Sequence, residues 1–327
     1  MGVFGTGLER LCAVTAASSA KEMAAQVRAA AREVWTVELR LDWLRNDRER
    51  AAFLAWLKNA KFRGATFMAT CRRRAGGGKY DGDLQGELYW LIQARAAGCT
   101  WCDLEIETLR ELPDESVREY AVPPKVLLSM HDFRRTPPLP RVVKPPAHGG
   151  VDAVKMAATA QTIEDSLRLL RLARRSKKFV AVPMGEAGLP ARILALREGS
   201  ALAYAPLGEA TAPGQILLRE MKYLYRAHEL TSRTRVYGVI GDPIGHSLSP
   251  QMQNAGFQAR AKSAAAAEVN RRKRHSALRR SAVPQLGVTC PHCFRCVAAH
   301  SSIARHTHRP GQPMRSRLQA TAMHGQT

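Results

Sequence analysis

Short apolar runs alternate with amphipathic stretches along the first two thirds of the chain. Eight apolar runs predict strands, at residues 11–16, 34–42, 65–72, 100–106, 125–133, 151–160, 179–184 and 201–205. Helical periodicity follows most of them, at residues 19–32, 48–59, 83–97, 162–175, 189–197 and 216–229. Repeated strand–helix units in this number predict an α/β protein with a (β/α)8 TIM-barrel fold.

An open, doubly wound parallel sheet is the alternative architecture for such a pattern. No glycine-rich turn of the dinucleotide-binding type follows any of the predicted strands, so the barrel is favoured. In a barrel the catalytic side chains lie at the C-terminal ends of the strands. Polar residues near those ends are therefore the candidates for chemistry.

A lysine interrupts the sixth apolar run. Lys155 lies within residues 151–160, which follow two glycines and are otherwise almost entirely apolar. Burial disfavours the ammonium form, and the uncharged amine is the form that attacks a ketone to give an imine. The alternative is a lysine whose amine reaches solvent at the strand end.

Other polar residues fall near the ends of neighbouring strands. Glu38 and Arg40 are two positions apart and therefore share one face of their strand. The remaining members of this set are Arg72, Asp103, Glu105, His131, Arg192, Thr211 and Gln215. Any one of them could be an ordinary ion pair or a satisfied core group. Together they predict an active site for an anionic, hydroxylated substrate.

The positive charge of the chain is unevenly distributed. The formal net charge is +22, and residues 260–327 alone hold 13 basic side chains and one acidic, a net of +12. The preceding part is moderately basic, which suits a small anionic substrate and does not require nucleic acid. Seven scattered cysteines predict a reduced, cytoplasmic protein. We expect neither a membrane span nor a signal peptide.

Several motifs together resemble one enzyme family. They are ELRLD at 38–42, TCR at 70–72, SMHDF at 129–133 with Thr136-Pro137, DAVK at 152–155, residues 184–192, and APGQ at 212–215. In this order they resemble the type I 3-dehydroquinate dehydratases of the shikimate pathway. The resemblance covers roughly residues 10–228 and implies a TIM-barrel lyase.

The resemblance implies a role for each matched residue. Lys155 forms an imine with the ketone of 3-dehydroquinate, and His131 moves protons as general base and acid. Arg192 clamps the substrate carboxylate. The groups expected to hold the ring hydroxyls and close the pocket are Glu38, Arg40, Arg72, Thr211 and Gln215. No metal or diffusible cofactor is implied, and a homodimer is one option for the assembly.

The chain departs from the family pattern at one position near the histidine. The family often has a glutamate four residues after the arginine matched by Arg72, and this chain has Gly76 there. Another carboxylate, Glu105 or Asp132, is then expected to orient His131, or the pairing is weaker. Thr211 stands where the family has serine and keeps the hydroxyl.

A second resemblance begins after the barrel. Residues 236–250 and 254–257 resemble the opening of shikimate dehydrogenase, in which Ser247 and Ser249 would bind the substrate carboxylate. The match then stops, so we expect an inactive remnant that would use NADP only if it were complete. The predicted domains are a barrel at 1–228, a dehydrogenase fragment at 229–259 and a disordered basic tail at 260–327.

The tail supports one rival hypothesis from a different functional class. Cys290, Cys293 and Cys296, with nearby histidines, could hold a metal ion, although the second pair of ligands typical of a strong zinc-binding motif is missing. The basic run at residues 271–274 could bind nucleic acid, although a solvated, disordered stretch explains it as well. The alternative function is therefore a non-catalytic nucleic-acid- or metal-binding protein on a degenerate barrel.

Overall fold

Eight parallel strands form a nearly closed barrel in the computed structural model, which describes residues 2–112, 120, 122–138, 150–208, 215–241, 247–260, 264–270 and 286–289. The strands are β1 (Leu11–Thr15), β2 (Thr36–Arg40), β3 (Thr66–Thr70), β4 (Trp101–Glu105), β5 (Lys125–Asp132), β6 (Val151–Thr159), β7 (Phe179–Met184) and β8 (Ala203–Pro206). Their hydrogen-bonded order runs β7-β6-β5-β4-β3-β2-β1-β8.

The two ends of this sheet meet just before β8. The backbone N–H of Ala201 donates to the carbonyl of Phe179 at 2.8 Å, and the N–H of Ala181 donates to the Ser200 hydroxyl at 3.0 Å. These bonds join the β7 edge to the chain that enters β8. The prediction of a (β/α)8 barrel is confirmed, and the open doubly wound sheet is wrong.

Helices cover the outside of the barrel between the strands. They are α1 (Ala20–Glu33), α2 (Asp47–Asn59), α3 (Leu84–Ala96), α4 (Ile106–Glu111), α5 (Ile163–Arg175) and α6 (Leu189–Leu194). Side-chain caps fix several of their starts, because the oxygens of Ser19, Asn46, Asp83 and Thr162 accept backbone N–H groups of the first turn. The sequence pattern missed α4, which follows β4 directly.

The helix predicted at residues 216–229 is wrong as a continuous element. The chain instead forms a π-helical turn over Glu220–Leu224 and a 3-10 turn over Ala227–Glu229. Arg226 lies between the two turns with φ +48°, in the left-handed region, and this conformation interrupts the helical hydrogen bonds. The apolar period continues across the break, so the pattern alone could not show it.

Large apolar side chains fill the N-terminal end of the barrel interior. Phe4 stacks on Trp101 with ring centroids 4.1 Å apart, and both side chains are buried. They pack with Met68, Leu127 and Val180 from the surrounding strands. The polar interior positions therefore lie toward the opposite, C-terminal end, where barrel active sites are found.

A second, smaller sheet follows the barrel. Its strands are β9 (Arg235–Gly241), β10 (Ala264–Asn270) and β11 (Leu286–Thr289), all parallel, in the order β10-β9-β11. The helix α7 (Ser249–Ala259) connects β9 to β10 and packs on β10. Two of these strands lie inside the segment expected to be disordered, and for their residues that expectation is not met. The apolar β9 needs partners on both edges, and the alanine-rich β10 supplies one.

This sheet shares a core with the barrel. Val236 of β9 and Ala265 of β10 are buried in the same hydrophobic cluster as Ile193 of α6, and β10 packs against α6. The guanidinium of Arg197 also donates to the carbonyl of Thr234, with Nε and Nη2 each 3.1 Å from it. The domain division at residue 228 stays a prediction. Among the described residues, no helix is long and apolar enough to cross a membrane.

Asn254 holds α7 against β10, and its substitution tests whether this contact stabilises the small sheet. Its amide donates to the carbonyl of Ala266 and accepts the N–H of the same residue, both at 2.9 Å and both buried. We expect Asn254→Ala to cost roughly 2–4 kcal/mol of local stability, because two buried backbone groups lose their partner. Hydrogen exchange at the Ala266 amide should accelerate accordingly. Gln258→Ala, on the exposed side of the same helix, is the control, and unchanged exchange in Asn254→Ala would contradict the assignment.

Candidate active site

A cavity of about 520 Å³ opens at the C-terminal ends of the barrel strands. It is lined by seven of the eight residues predicted for the dehydratase site, namely Glu38, Arg40, Arg72, His131, Lys155, Arg192 and Gln215. The eighth, Thr211, lies outside the described residues. The seven side chains come from the strands β2, β5 and β6, from the helix α6 and from two loops, and they converge at the C-terminal end of the barrel, as the fold requires.

Lys155 lies in β6 and is only 4% exposed. Its Nζ forms an ion pair with the Oδ2 of Asp103 on β4, and it lies 4.9 Å from the centre of the Tyr204 ring. The amine is therefore enclosed by the barrel and does not extend to solvent. Because Lys155 lines the cavity, a ligand in the cavity can reach its nitrogen.

Asp103 supplies a buried negative charge beneath the amine. Burial alone would raise the pKa of the Asp103 carboxyl, but Lys155 and then Arg72 hold that pKa well below its usual value. The Nη2 of Arg72 lies 3.5 Å from the same carboxylate oxygen that Lys155 contacts. Asp103 therefore stays ionised and can compensate a positive charge on the Lys155 nitrogen.

His131 projects from the end of β5 into the cavity. Its Nδ1 is 2.8 Å from the Oε2 of Glu105, and its ring stacks on Phe133 with centroids 5.7 Å apart. Burial lowers the pKa of His131 well below 6.5, and the nearby charges of Arg72 and Lys155 lower it further. The imidazole is therefore neutral at pH 7, the form that accepts a proton.

Glu105 ends β4 and lies between an arginine and the histidine. Its Oε1 is 2.5 Å from the Nε of Arg72, an ionic contact whose angle is not that of a hydrogen bond. Burial raises the pKa of Glu105 to about 7, although the charge of Arg72 opposes that rise. Asp132, the other carboxylate considered from the sequence, accepts the backbone N–H groups of Arg134 and Arg135 instead.

Arginines make the cavity positively charged. Arg40 forms a bidentate ion pair with Asp42 at 2.8 and 2.9 Å, which fixes its guanidinium at the wall. The Nε of Arg192 donates to the carbonyl of Pro183 at 2.8 Å, and burial lowers the pKa of Arg192 to about 10. Together with Arg72 they favour a negatively charged ligand.

Glu38 is the acidic member of the cavity wall. Its carboxylate accepts the hydroxyl of Thr70 at 2.7 Å and is buried, 4% exposed. A buried carboxylate beside a polar cavity is a suitable acceptor for ligand hydroxyl groups. The wall therefore offers cationic groups for a carboxylate and an acceptor for hydroxyls.

Tyr204 is a cavity residue that the sequence analysis missed. It lies on β8 beside Lys155, and its hydroxyl is 3.6 Å from the Sδ of Met68. Burial raises the pKa of Tyr204 well above 10, so the phenol is neutral. The sequence did contain a signal for Tyr204, because it is the one residue with a polar side chain between Leu202 and Pro206. Tyrosine is so common in strands that the signal is weak.

The second predicted site lies apart from this cavity. Ser247 and Ser249 are at the start of α7, where the N–H of Ser249 donates to the Ser247 hydroxyl at 3.3 Å. Neither serine lines the barrel cavity. Cys290, Cys293 and Cys296 lie outside the described residues. Within the described part of the chain, no group of three or more His, Cys, Asp or Glu side chains is arranged to hold a metal.

Comparison with known proteins gives consistent matches over the barrel. The family model of type I 3-dehydroquinase matches residues 11–232. The bifunctional 3-dehydroquinate dehydratase/shikimate dehydrogenase of Arabidopsis thaliana chloroplasts is 30% identical over 228 residues, which are 68% of this chain and 37% of that protein. The chain thus spans little more than a third of the bifunctional relative.

Shorter relatives are covered almost completely. The 3-dehydroquinate dehydratase of Dehalococcoides mccartyi strain 195 is 34% identical over 204 residues, which are 60% of this chain and 87% of that protein. Among solved structures, the type I 3-dehydroquinate dehydratase of Clostridium difficile with covalently modified comenic acid superposes with a TM-score of 0.59 at 22% identity. That likeness covers 70% of this chain and 94% of the other, and it shows the fold.

Proposed function

Because the chain belongs to the type I 3-dehydroquinase family, we propose that it dehydrates 3-dehydroquinate to 3-dehydroshikimate through an imine on Lys155. The observation that carries this proposal is a lysine amine, 4% exposed, at the floor of a cavity that also holds a neutral histidine and three guanidinium groups. This combination suits a small keto acid that needs an electron sink and a proton shuttle.

The first half of the reaction builds the imine. The uncharged Nζ of Lys155 attacks the ketone carbon, and one of its protons passes to the carbonyl oxygen. A second proton, from solvent, lets that oxygen leave as water when the C=N bond forms, so the imine nitrogen keeps one hydrogen and a positive charge. The protonated imine carries its positive charge close to Asp103, whose ionised carboxylate stabilises it. A positive nitrogen draws electrons from the neighbouring carbon and acidifies its C–H bond.

The second half eliminates water and releases the product. His131 takes the proton from the carbon beside the imine, and the electron pair forms the enamine. The same imidazolium returns its proton to the departing hydroxyl, which leaves as water as the C=C bond forms. Another water then hydrolyses the imine, which restores the lysine. Arg192 binds the substrate carboxylate, and Glu38, Arg40, Arg72, Thr211 and Gln215 hold the ring hydroxyls.

No metal or diffusible cofactor takes part, because the lysine nitrogen serves as the electron sink. The buried free thiols Cys12, Cys71, Cys99 and Cys102 support a reducing, cytoplasmic location. We further propose a homodimer, and a fragment related to shikimate dehydrogenase around Ser247 and Ser249. The basic tail is not required for dehydration.

Reductive trapping tests the proposed function. Incubation with 3-dehydroquinate and sodium borohydride should reduce the imine and leave a stable adduct on the peptide that contains Lys155, detected by mass spectrometry. Lys155→Ala should give no adduct, and Lys178→Ala, which removes an exposed lysine, should give the full amount. A folded protein that neither forms the adduct nor consumes 3-dehydroquinate would show that the proposal is wrong.

A further inference from the structure

We propose that Glu105 positions His131 for proton transfer and that the missing side chain at Gly76 provides the space this carboxylate occupies. The inference rests on the proposed function for the catalytic role of His131, and on the contacts of Glu105, His131 and Gly76 for its structural part. It makes Glu105 a positioning residue, which acts through the histidine rather than on the substrate.

The His131–Glu105 contact fixes which imidazole nitrogen is available. The Nδ1 of His131 is 2.8 Å from the Oε2 of Glu105, and both side chains are nearly enclosed, at 8% and 5% exposure. Above the pKa of Glu105, which burial raises to about 7, the carboxylate is ionised and can only accept a hydrogen bond. Nδ1 then carries the hydrogen and Nε2 keeps its lone pair. Nε2 is then the atom that takes a proton from a ligand in the cavity. The imidazolium formed in that step lies beside a negative charge.

Glu105 is itself held from the other side. Its Oε1 contacts the Nε of Arg72 at 2.5 Å, and its backbone ends β4 directly across from Ser129 of β5, two residues before His131. The carboxylate is therefore fixed between a cation and the imidazole. Replacing the glutamate by glutamine keeps the size of the side chain and removes the charge, which separates electrostatics from packing.

Gly76 lies against this carboxylate. A Cβ added at residue 76 would be 3.2 Å from the Cγ of Glu105 and 3.4 Å from the Cγ of Arg72. The backbone of Gly76 does not have the positive φ that would require glycine, whereas Gly77 has φ +79°. Residue 76 could thus bear a side chain if Glu105 were shortened, and that side chain would start beside the place Glu105 now fills.

This geometry allows the carboxylate to be moved within the site. Glu105→Ala removes it, and Glu105→Ala with Gly76→Glu offers a replacement from the other side of the same space. We expect Glu105→Ala and Glu105→Gln each to lower kcat about 10- to 100-fold with little change in KM, the range seen when an orienting partner is lost. The double variant should recover most of the kcat that Glu105→Ala loses. Gly76→Glu alone should not raise kcat, because two carboxylates would crowd one space.

A readout that does not need turnover distinguishes this inference from the proposed function. The ¹⁵N chemical shifts of the His131 ring in the free protein report which nitrogen carries the hydrogen. We expect the Nδ1–H form in the wild type and a mixture of tautomers in Glu105→Gln. Glu87→Gln is the matched control, since Glu87 is also buried but pairs with Arg73 and Thr108. It should leave the His131 shifts unchanged.

Each outcome decides one point. An unchanged His131 tautomer in Glu105→Gln, or kcat within twofold of wild type, would overturn the positioning role. A rise in KM with kcat unchanged would also overturn it, since that pattern indicates direct substrate binding. A wild-type protein without dehydratase activity that nevertheless shows the tautomer change would retain the structural part and overturn the proposed function alone.

Discussion

Replacement of Lys155 by alanine is expected to lower kcat/KM for 3-dehydroquinate by on the order of 10⁴-fold or more, because the amine that forms the imine is lost. Lys79 also lines the cavity, but its Nζ packs over the Trp43 ring, 3.5 Å from the ring centre. Steady-state kinetics of the purified variant measures this directly. Lys178→Ala, an exposed lysine of the same chain, serves as control. A Lys155→Ala protein that keeps more than a tenth of the activity would contradict the covalent mechanism.

The same substitution should also reduce stability. Lys155 contacts Asp103, whose side chain has no exposed surface, so removing the amine leaves Arg72 at 3.5 Å as the cation nearest to that carboxylate. Loss of one member of a buried ion pair costs about 3 kcal/mol, which urea unfolding can measure. Lys155→Ala combined with Asp103→Asn should regain part of this loss while remaining inactive. Failure of the double variant to regain stability would show that the ion pair is not the cause.

Replacement of His131 by asparagine is expected to lower kcat about 10²- to 10⁴-fold, the usual contribution of one general acid–base group. Imine formation depends on Lys155, so borohydride should still trap an adduct in this variant. The two substitutions therefore separate the steps of the reaction. Loss of both turnover and adduct in His131→Asn, in a folded protein, would place the histidine in imine formation instead.

The pH dependence of the wild type follows from the pKa of the same histidine. A general base is active in its neutral form, and burial lowers the pKa of His131 well below 6.5. The general-base form of His131 should therefore persist as the pH falls from 8 to 6, so a decline in activity within that range follows the protonation of Glu105, whose pKa burial raises to about 7. The kcat/KM profile of the wild type measures the position of this acid limb. An acid limb at or above pH 6.5 that persists in Glu105→Gln would contradict the lowered pKa of His131.

Sequence reasoning reached the barrel because buried parallel strands are continuous apolar runs, in which a charged residue is conspicuous. Lys155, Arg72 and His131 were found for this reason. Tyr204 was not, since an aromatic residue fits a strand without any function. The Glu105–His131 contact was only one of two options in the sequence. Choosing between them required the β4–β5 register and the backbone bonds that engage Asp132.

The segment after the barrel was the least predictable. Residues 264–270 are mostly alanine and show no strand pattern of their own, and their pairing with β9 is what makes them a strand. The break at Arg226 was equally hidden, because a single left-handed residue leaves the apolar period unchanged. In both places the deciding interactions join residues that are distant in sequence or depend on one backbone angle.

The packing of β10 on α6 has a consequence for how the protein is made. The chain emerges from the ribosome from its N-terminus, so α6 and all eight barrel strands are synthesised before residues 264–270 exist. Until then the buried face that includes Ile193 lacks the cover given by Ala265. A nascent barrel would therefore expose an aggregation-prone apolar surface during translation. That surface becomes buried only when the alanine-rich β10 has been synthesised and pairs with β9.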